Sequence, residues 1–453
     1  MTYDEMFARS FSRRDQIRLK YSAFAACFVV ACCLCTVFKP YLGPLPALNL
    51  RLTMADGLQL AMITDKTGEP KRPYSEVQQT SLTCDISKHR SDTCEIKGDV
   101  RIKGTSSLIF VASSHNKNAS FIIKPYARNG DKSAMDLVTT FTLKSVENQP
   151  EIMPECNKTH NVPAVVFSIG GYANNNFHAF TDVIIPLYAT SRKFNGEVKF
   201  LVSNKLPRWT SKFKVVLDKL SRYETIDIDR ENIVHCFPSM IVGLKKEHTK
   251  ELHYESMKDF RNFLRNSYSL ERSMVIKLNN SSIQKARLLI ISRQKTRAFT
   301  NVEDVVLAAE NMGFEVIVSE MSANMTHISR LVNSCDVLIG VHGAGLTNMV
   351  FLPENGVIIQ VVPFGKMEWL ASTYFGEPSK EMGLKYLEYK ISEDESSLIQ
   401  EYPLKHQVFV DPYSVQKKGW SAYKSIYLDK QNVKLNVTKF KETLSHALEL
   451  LHV

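Results

Sequence analysis

Between Arg287 and Val362 short apolar runs alternate with stretches of helical spacing, and this alternation limits the fold more than any other feature of the chain. Arg287–Ser292, Glu315–Val318, Val337–Val341 and Val357–Val362 have the length of buried strands, whereas Val302–Met312, Met325–Val332 and Leu346–Leu352 repeat apolar residues at helical intervals. Strands separated by helices predict a parallel, doubly wound α/β sheet, because a parallel return requires a crossover. Such sheets bind ligands at the carboxyl ends of their strands. At that edge Val337–Val341 runs into His342-Gly343-Ala344-Gly345, a glycine-rich turn ahead of a helix start. Unpaired N–H groups at the positive end of a helix can cradle a diphosphate, although an ordinary β-α turn has the same shape. The same edge carries Arg293-Gln294-Lys295-Thr296-Arg297. Its cations could neutralise a diphosphate, or form a solvated basic loop.

With 453 residues the chain is too long for one ordinary core and divides best into two domains. The periodic pattern lapses from Asn266 to Lys285, so the domains are expected at 84–275 and 276–453. In the first, the β-like runs Val100–Lys103, Leu108–Val111, Phe121–Lys124 and Val138–Leu143 precede a strand at Val162–Ile169 that ends in Gly170-Gly171-Tyr172. A cluster of asparagines can cap the helix that follows, whose buried stripe would be Phe177, Phe180, Ile184, Leu187 and Tyr188. His178 and Asp182 lie four apart on that helix and share a face, either as a base with its partner or as a surface ion pair. Asp227-Ile228-Asp229 has the form of a cation-binding pair, but Asp229 to Asn232 reads better as a turn or helix start, and no metal site is assigned. Val437–Leu451 should be an amphipathic terminal helix.

Residues 21–38 carry no charge and are about as long as the shortest helix that spans a bilayer. Arg9, Arg13, Arg14, Arg18 and Lys20 precede them, which assigns 1–20 to a cytosolic tail, 21–38 to a transmembrane signal anchor and the proline-containing 39–83 to a luminal stem. In an oxidising lumen Cys84 and Cys94 could close a small loop, and one of Cys156, Cys236 and Cys335 is left over if a second pair forms. Sequons at Asn118, Asn157, Asn279, Asn280, Asn324 and Asn436 fit that compartment. The net charge of +10 is scattered through lysine-rich loops, without a basic block interleaved with aromatics, so nucleic acid is not the expected partner.

Several separated motifs resemble glycosyltransferase family sixty-one, most closely its plant members that decorate xylan. They are Gly170-Gly171-Tyr172 with Asn175, His178, Phe180 and Asp182; Ser292-Arg293 with Arg297, Phe299 and Asn301; and Val341 to Asn348 with Phe351-Leu352-Pro353. Asp411-Pro412, Trp420, Tyr427 and the segment Lys39 to Pro44 belong to the same pattern, which covers about residues 84–453. The family often carries an acidic residue where this chain has Ala179, a departure that bears on acceptor choice. The resemblance implies a Golgi type II membrane protein with a GT-B fold of two Rossmann-like domains facing a cleft. It also implies inverting transfer from a UDP-sugar, UDP-xylose or UDP-arabinofuranose, to a polysaccharide such as xylan, with no cofactor and no required metal. Arg293, Arg297, His342, Gly343, Ala344, Gly345 and Asn348 would then hold the donor, with Asp182 and His178 as catalytic residues; Asp182 is the favoured base or base-orienter. Transfer to protein or N-glycan acceptors, and a non-catalytic carbohydrate-binding scaffold, are the alternatives.

Overall fold

The computed structural model describes residues 80–452 apart from 87–89, 113–118, 147–152, 246–249, 279–283 and 322–323. The expected tail and anchor and nearly all of the stem lie outside the described residues. Among the described residues no helix is long and apolar enough to cross a membrane.

Ten strands form the first sheet: β1 (Ser81–Asp85), β2 (Thr93–Lys103), β3 (Leu108–Ala112), β4 (Ser120–Ile123), β5 (Phe141–Val146), β6 (Lys158–Thr159), β7 (Ala164–Ser168), β8 (Lys199–Ser203), β9 (Ile226–Asp227) and β10 (Val234–Val242). They run in the order β4-β5-β3-β2-β10-β7-β8-β9, with β1 beside β2 and β6 beside β10. Strands β10, β7, β8 and β9 are parallel. Strand β2 runs antiparallel to β10 and carries the early strands as a mixed wing, so the β-like runs before Val162 extend the same sheet. Strand β10 has no counterpart in the sequence reading because Pro238 interrupts its pattern. The proline sits where the register with β2 shifts between Phe237 and Ser239, a place where a missing N–H costs the ladder nothing.

The second sheet is all parallel. Its strands are β11 (Arg287–Ser292), β12 (Glu315–Glu320), β13 (Val337–Val341), β14 (Val357–Val362) and β15 (Lys385–Lys390), in the order β12-β11-β13-β14-β15. Strands β13 and β14 are buried along their whole length and, apart from Gln360, are apolar throughout, as strands covered on both faces tend to be. The terminal helix Val437–Leu451 covers one face through Phe440, Leu444, Ala447 and Leu451. Edge strand β15, Lys-Tyr-Leu-Glu-Tyr-Lys, was illegible as a strand because its charges serve an exposed edge. Between β11 and β13 the direction of winding reverses, and this places a crevice at their carboxyl ends.

An apolar core continues from one sheet to the other. Phe180 packs edge-on against Phe213, against Phe260 of the helix Lys250–Tyr268, and against Phe351 from the glycine-rich turn. Buried Arg261 on that long helix donates to the carbonyls of Val350, Leu352 and Met382 and so satisfies the end of the turn's helix. Cys84 pairs with Cys94 across directly opposed positions of β1 and β2, and Cys156 pairs with Cys236. The left-over cysteine is Cys335, which is free and buried.

Candidate active site

His342 follows β13 directly and is 7% exposed. The Gln360 amide nitrogen donates to its Nδ1 at 2.7 Å, while the Gln360 oxygen accepts from the Tyr386 hydroxyl at 2.9 Å. That relay requires a neutral ring with its proton on Nε2. Burial, reinforced by Arg297 and Arg293, lowers the His342 pKa to about 3. The unfolded state therefore binds a proton below pH about 6.5 that the folded state refuses, so stability falls as pH drops from there toward 3. His342→Gln should remove this component, up to about 2 kcal/mol between pH 6.5 and 5, in urea titrations at the two pH values. A variant whose stability falls as steeply as the parent's would assign the loss elsewhere.

Gly343 has φ +152°, and a Cβ placed there would lie 2.8 Å from Nη1 of Arg297 and 2.9 Å from Nη1 of Arg293. Both guanidinium groups thus converge on a position that only glycine leaves open. Arg297, itself at φ +53°, donates from Nη1 to the His342 carbonyl at 2.7 Å, and Arg293 donates from Nε to the Thr296 carbonyl at 2.8 Å. Gly343→Ala should push both side chains off the turn and weaken the binding of UDP, the donor moiety that the resemblance implies, about tenfold or more, measured by calorimetric titration. Affinity equal to that of the parent would show that the arginines have room to yield.

The segment after Gly343 is a 3-10 helix, Ala344–Phe351, where an α-helix over Leu346–Leu352 was expected. The tighter helix begins two residues earlier and brings Ala344 and Gly345 to a cavity of about 280 Å³. Asn348, 2% exposed, lines the same cavity, donating from Nδ2 to the Gly345 carbonyl at 2.9 Å while its buried Oδ1 has no donor among the described residues. Arg293 also lines it, whereas His342, Gly343 and Arg297 stand behind and hold the turn in place. An open set of N–H groups, a guanidinium and an orphaned acceptor can bind a polar, anionic ligand.

Opposite this turn, Asn175 caps the helix that starts at Asn176, its Oδ1 accepting from the Phe177 N–H at 3.0 Å. The helix widens to π geometry over Ala179–Ile184 before Pro186, a distortion common at functional sites. His178 Nδ1 lies 2.9 Å from Asp182 Oδ2. Asp182 is fully buried at 0% exposure; Tyr126 donates to its Oδ2 at 3.1 Å, Thr181 to its Oδ1 at 3.0 Å, and the Arg128 guanidinium approaches at 3.6 Å. The pair is therefore a buried carboxylate that orients an imidazole. His178 keeps 18% of its side chain exposed between the rings of Tyr172 and Phe177. With Nδ1 engaged by the carboxylate, Nε2 is the nitrogen left for a substrate. Tyr126 and Arg128 had no sequence signal of their own, but Gly171 did: a Cβ there would lie 2.7 Å from the Tyr126 ring.

The two clusters meet through aromatic rings. Phe177 contacts Tyr374 and Phe375, and Phe375 stands edge-on to His342. Asn176 and Lys212, both from the first-sheet half, line the cavity beside Arg293, Gly345 and Asn348. The acidic pair is elsewhere engaged: Asp229 accepts from the Asn204 N–H at 2.6 Å, and Asp227 lies 3.6 Å from Arg230. Among the described residues no three side chains of His, Cys, Asp and Glu stand close enough to share a metal ion.

Residues 177–359 match the family model described as Glycosyltransferase 61. An alpha-1,3-arabinosyltransferase of Oryza sativa subsp. japonica is 44% identical over 394 residues, 85% of this chain and 67% of that protein. A beta-1,2-xylosyltransferase of the same plant is 38% identical over 432 residues, 87% of this chain and 92% of the relative. A xylan glycosyltransferase of Arabidopsis thaliana is 34% identical over 439 residues, covering 91% and 88%. Identity at this level runs through both sheets and the residues between them, and the chain belongs to the glycosyltransferase 61 family.

Proposed function

We propose that this glycosyltransferase moves a pentose, xylose or arabinofuranose, from a UDP-sugar onto xylan with inversion and without a required metal. One observation carries the reading: residues of both halves line a single cavity, with Arg293, Ala344, Gly345 and Asn348 from one and Asn176 and Lys212 from the other, and His178, which is not itself in the lining, lies two residues beyond Asn176 on the same helix. In the transfer, His178 Nε2 takes the proton of the acceptor hydroxyl as its oxygen bonds to the anomeric carbon. The bond from that carbon to the diphosphate breaks on the opposite face, and UDP leaves with the electron pair. Arg293 and the N–H groups at Ala344 and Gly345 take up the charge that develops on the diphosphate, the task a metal performs in other designs. Inversion makes a β-xyloside from UDP-α-xylose and an α-arabinofuranoside from UDP-β-arabinofuranose. The linkages that the relatives are named for, alpha for arabinosyl and beta for xylosyl, agree with it.

Two facing α/β halves with the donor at the second fit a GT-B arrangement. The uncharged run at 21–38 with its basic flank supports a type II anchor and a Golgi luminal site of action. The full chain in detergent, incubated with EDTA, xylan oligosaccharides and either UDP-xylose or UDP-arabinofuranose, should extend the acceptor by one pentose mass. Loss of transfer in EDTA with UDP still bound would overturn metal independence, and failure with both donors would overturn the pentose assignment.

A further inference from the structure

Lys212 is the last residue of the helix Pro207–Lys212, in the first-sheet half, yet its side chain lines the cavity of the second-sheet turn. Its ammonium donates to Asn176 Oδ1 at 2.8 Å and lies 5.4 Å from the Phe213 ring. Among the described residues it has no carboxylate partner, although it is half-buried and burial pushes its pKa down. The acidic residue on the cavity lining, Glu320 at the end of β12, is exposed and forms no ion pair with it. A partly desolvated ammonium held by one neutral amide is an unfavourable arrangement unless an anion completes it. The remaining wall supplies Arg293, Lys295 and the start of the Ala344–Phe351 helix, all suited to the same negative charge.

We infer that Lys212 is a donor-binding residue contributed across the cleft, its ammonium contacting the diphosphate of the UDP-sugar opposite Arg293. This rests on the donor site proposed above and adds a ligand to it from the other sheet. A diphosphate carries enough charge to engage both cations at once, so its binding links the two halves through ionic contacts. The departing UDP would also be stabilised from two sides, by a lysine whose donors turn to follow the phosphate and an arginine whose fork is fixed.

Calorimetric titration of the full chain with UDP and with uridine tests the assignment. Lys212→Gln should weaken UDP roughly 10- to 100-fold, the loss of one charge-assisted contact, and leave uridine affinity unchanged. Lys212→Arg should restore most of the UDP affinity. UDP affinity unchanged in Lys212→Gln but weakened in Arg293→Ala would remove Lys212 from the donor site and leave that site standing. Equal losses for UDP and uridine, or failure of Lys212→Arg to restore binding, would show a structural role and overturn the inference. A parent protein that binds no UDP would overturn the donor reading itself.

Discussion

His178→Ala should lower turnover by about 10²- to 10⁴-fold, the usual contribution of a positioned general base, while UDP binding and the thermal midpoint stay at the parent's values. The expectation follows from access. Asp182 is fully buried and already accepts from Tyr126 and Thr181, and it lies within hydrogen-bond distance of His178, so an incoming hydroxyl has no route to it. His178 is partly exposed and has one ring nitrogen free of protein partners among the described residues. The side chain to be removed is short of structural duties, because the helix is capped by Asn175 and anchored by Phe180, Val183, Ile184 and Leu187. Turnover within a few-fold of the parent would take His178 out of the mechanism.

Asp182→Asn should cost a comparable factor for a different reason. An amide that donates to Nδ1 stabilises the opposite tautomer, with the proton on Nε2, and a ring in that state cannot accept one there. The loss should be in turnover and not in donor affinity, measured by initial rates beside UDP titration. Asp182 also meets Tyr126, Thr181 and Arg128, so circular dichroism and the unfolding midpoint of the variant belong in the same comparison. A folded Asp182→Asn protein with normal turnover would show that the carboxylate does not orient the base. If Asp182→Asn is inactive while His178→Ala is normal, the carboxylate itself is the base, which was the first preference on sequence grounds.

The second sheet was legible almost strand for strand, because strands covered on both faces must be continuously apolar and their helices must show a stripe. Strands β11, β13 and β14 and the terminal helix fall at the expected residues. The first sheet was less legible: its strands are shared between parallel and antiparallel neighbours, and Pro238 masks the pattern of β10. At the site, His178 and Asp182 were found by spacing on one helix and Arg293 by its place after a strand. Tyr126, Arg128 and Lys212 were not, since each reaches the site through the tertiary fold from a loop or helix end with no periodic relation to it. Glycines pointed to two of the close contacts indirectly. Gly171 makes room for Tyr126, and Gly343 makes room for the arginine pair.

The proposed displacement, with His178 as base and the glycine-rich turn as diphosphate cradle, inverts the anomeric carbon, so the configuration of the first product tests it most directly. Proton NMR of the pentosylated oligosaccharide, recorded before any mutarotation of free sugar intrudes, should show a β-xyloside from UDP-α-xylose or an α-arabinofuranoside from UDP-β-arabinofuranose. A product that retains the donor's configuration would contradict the facing arrangement of His178 and the glycine-rich turn as the chemical site.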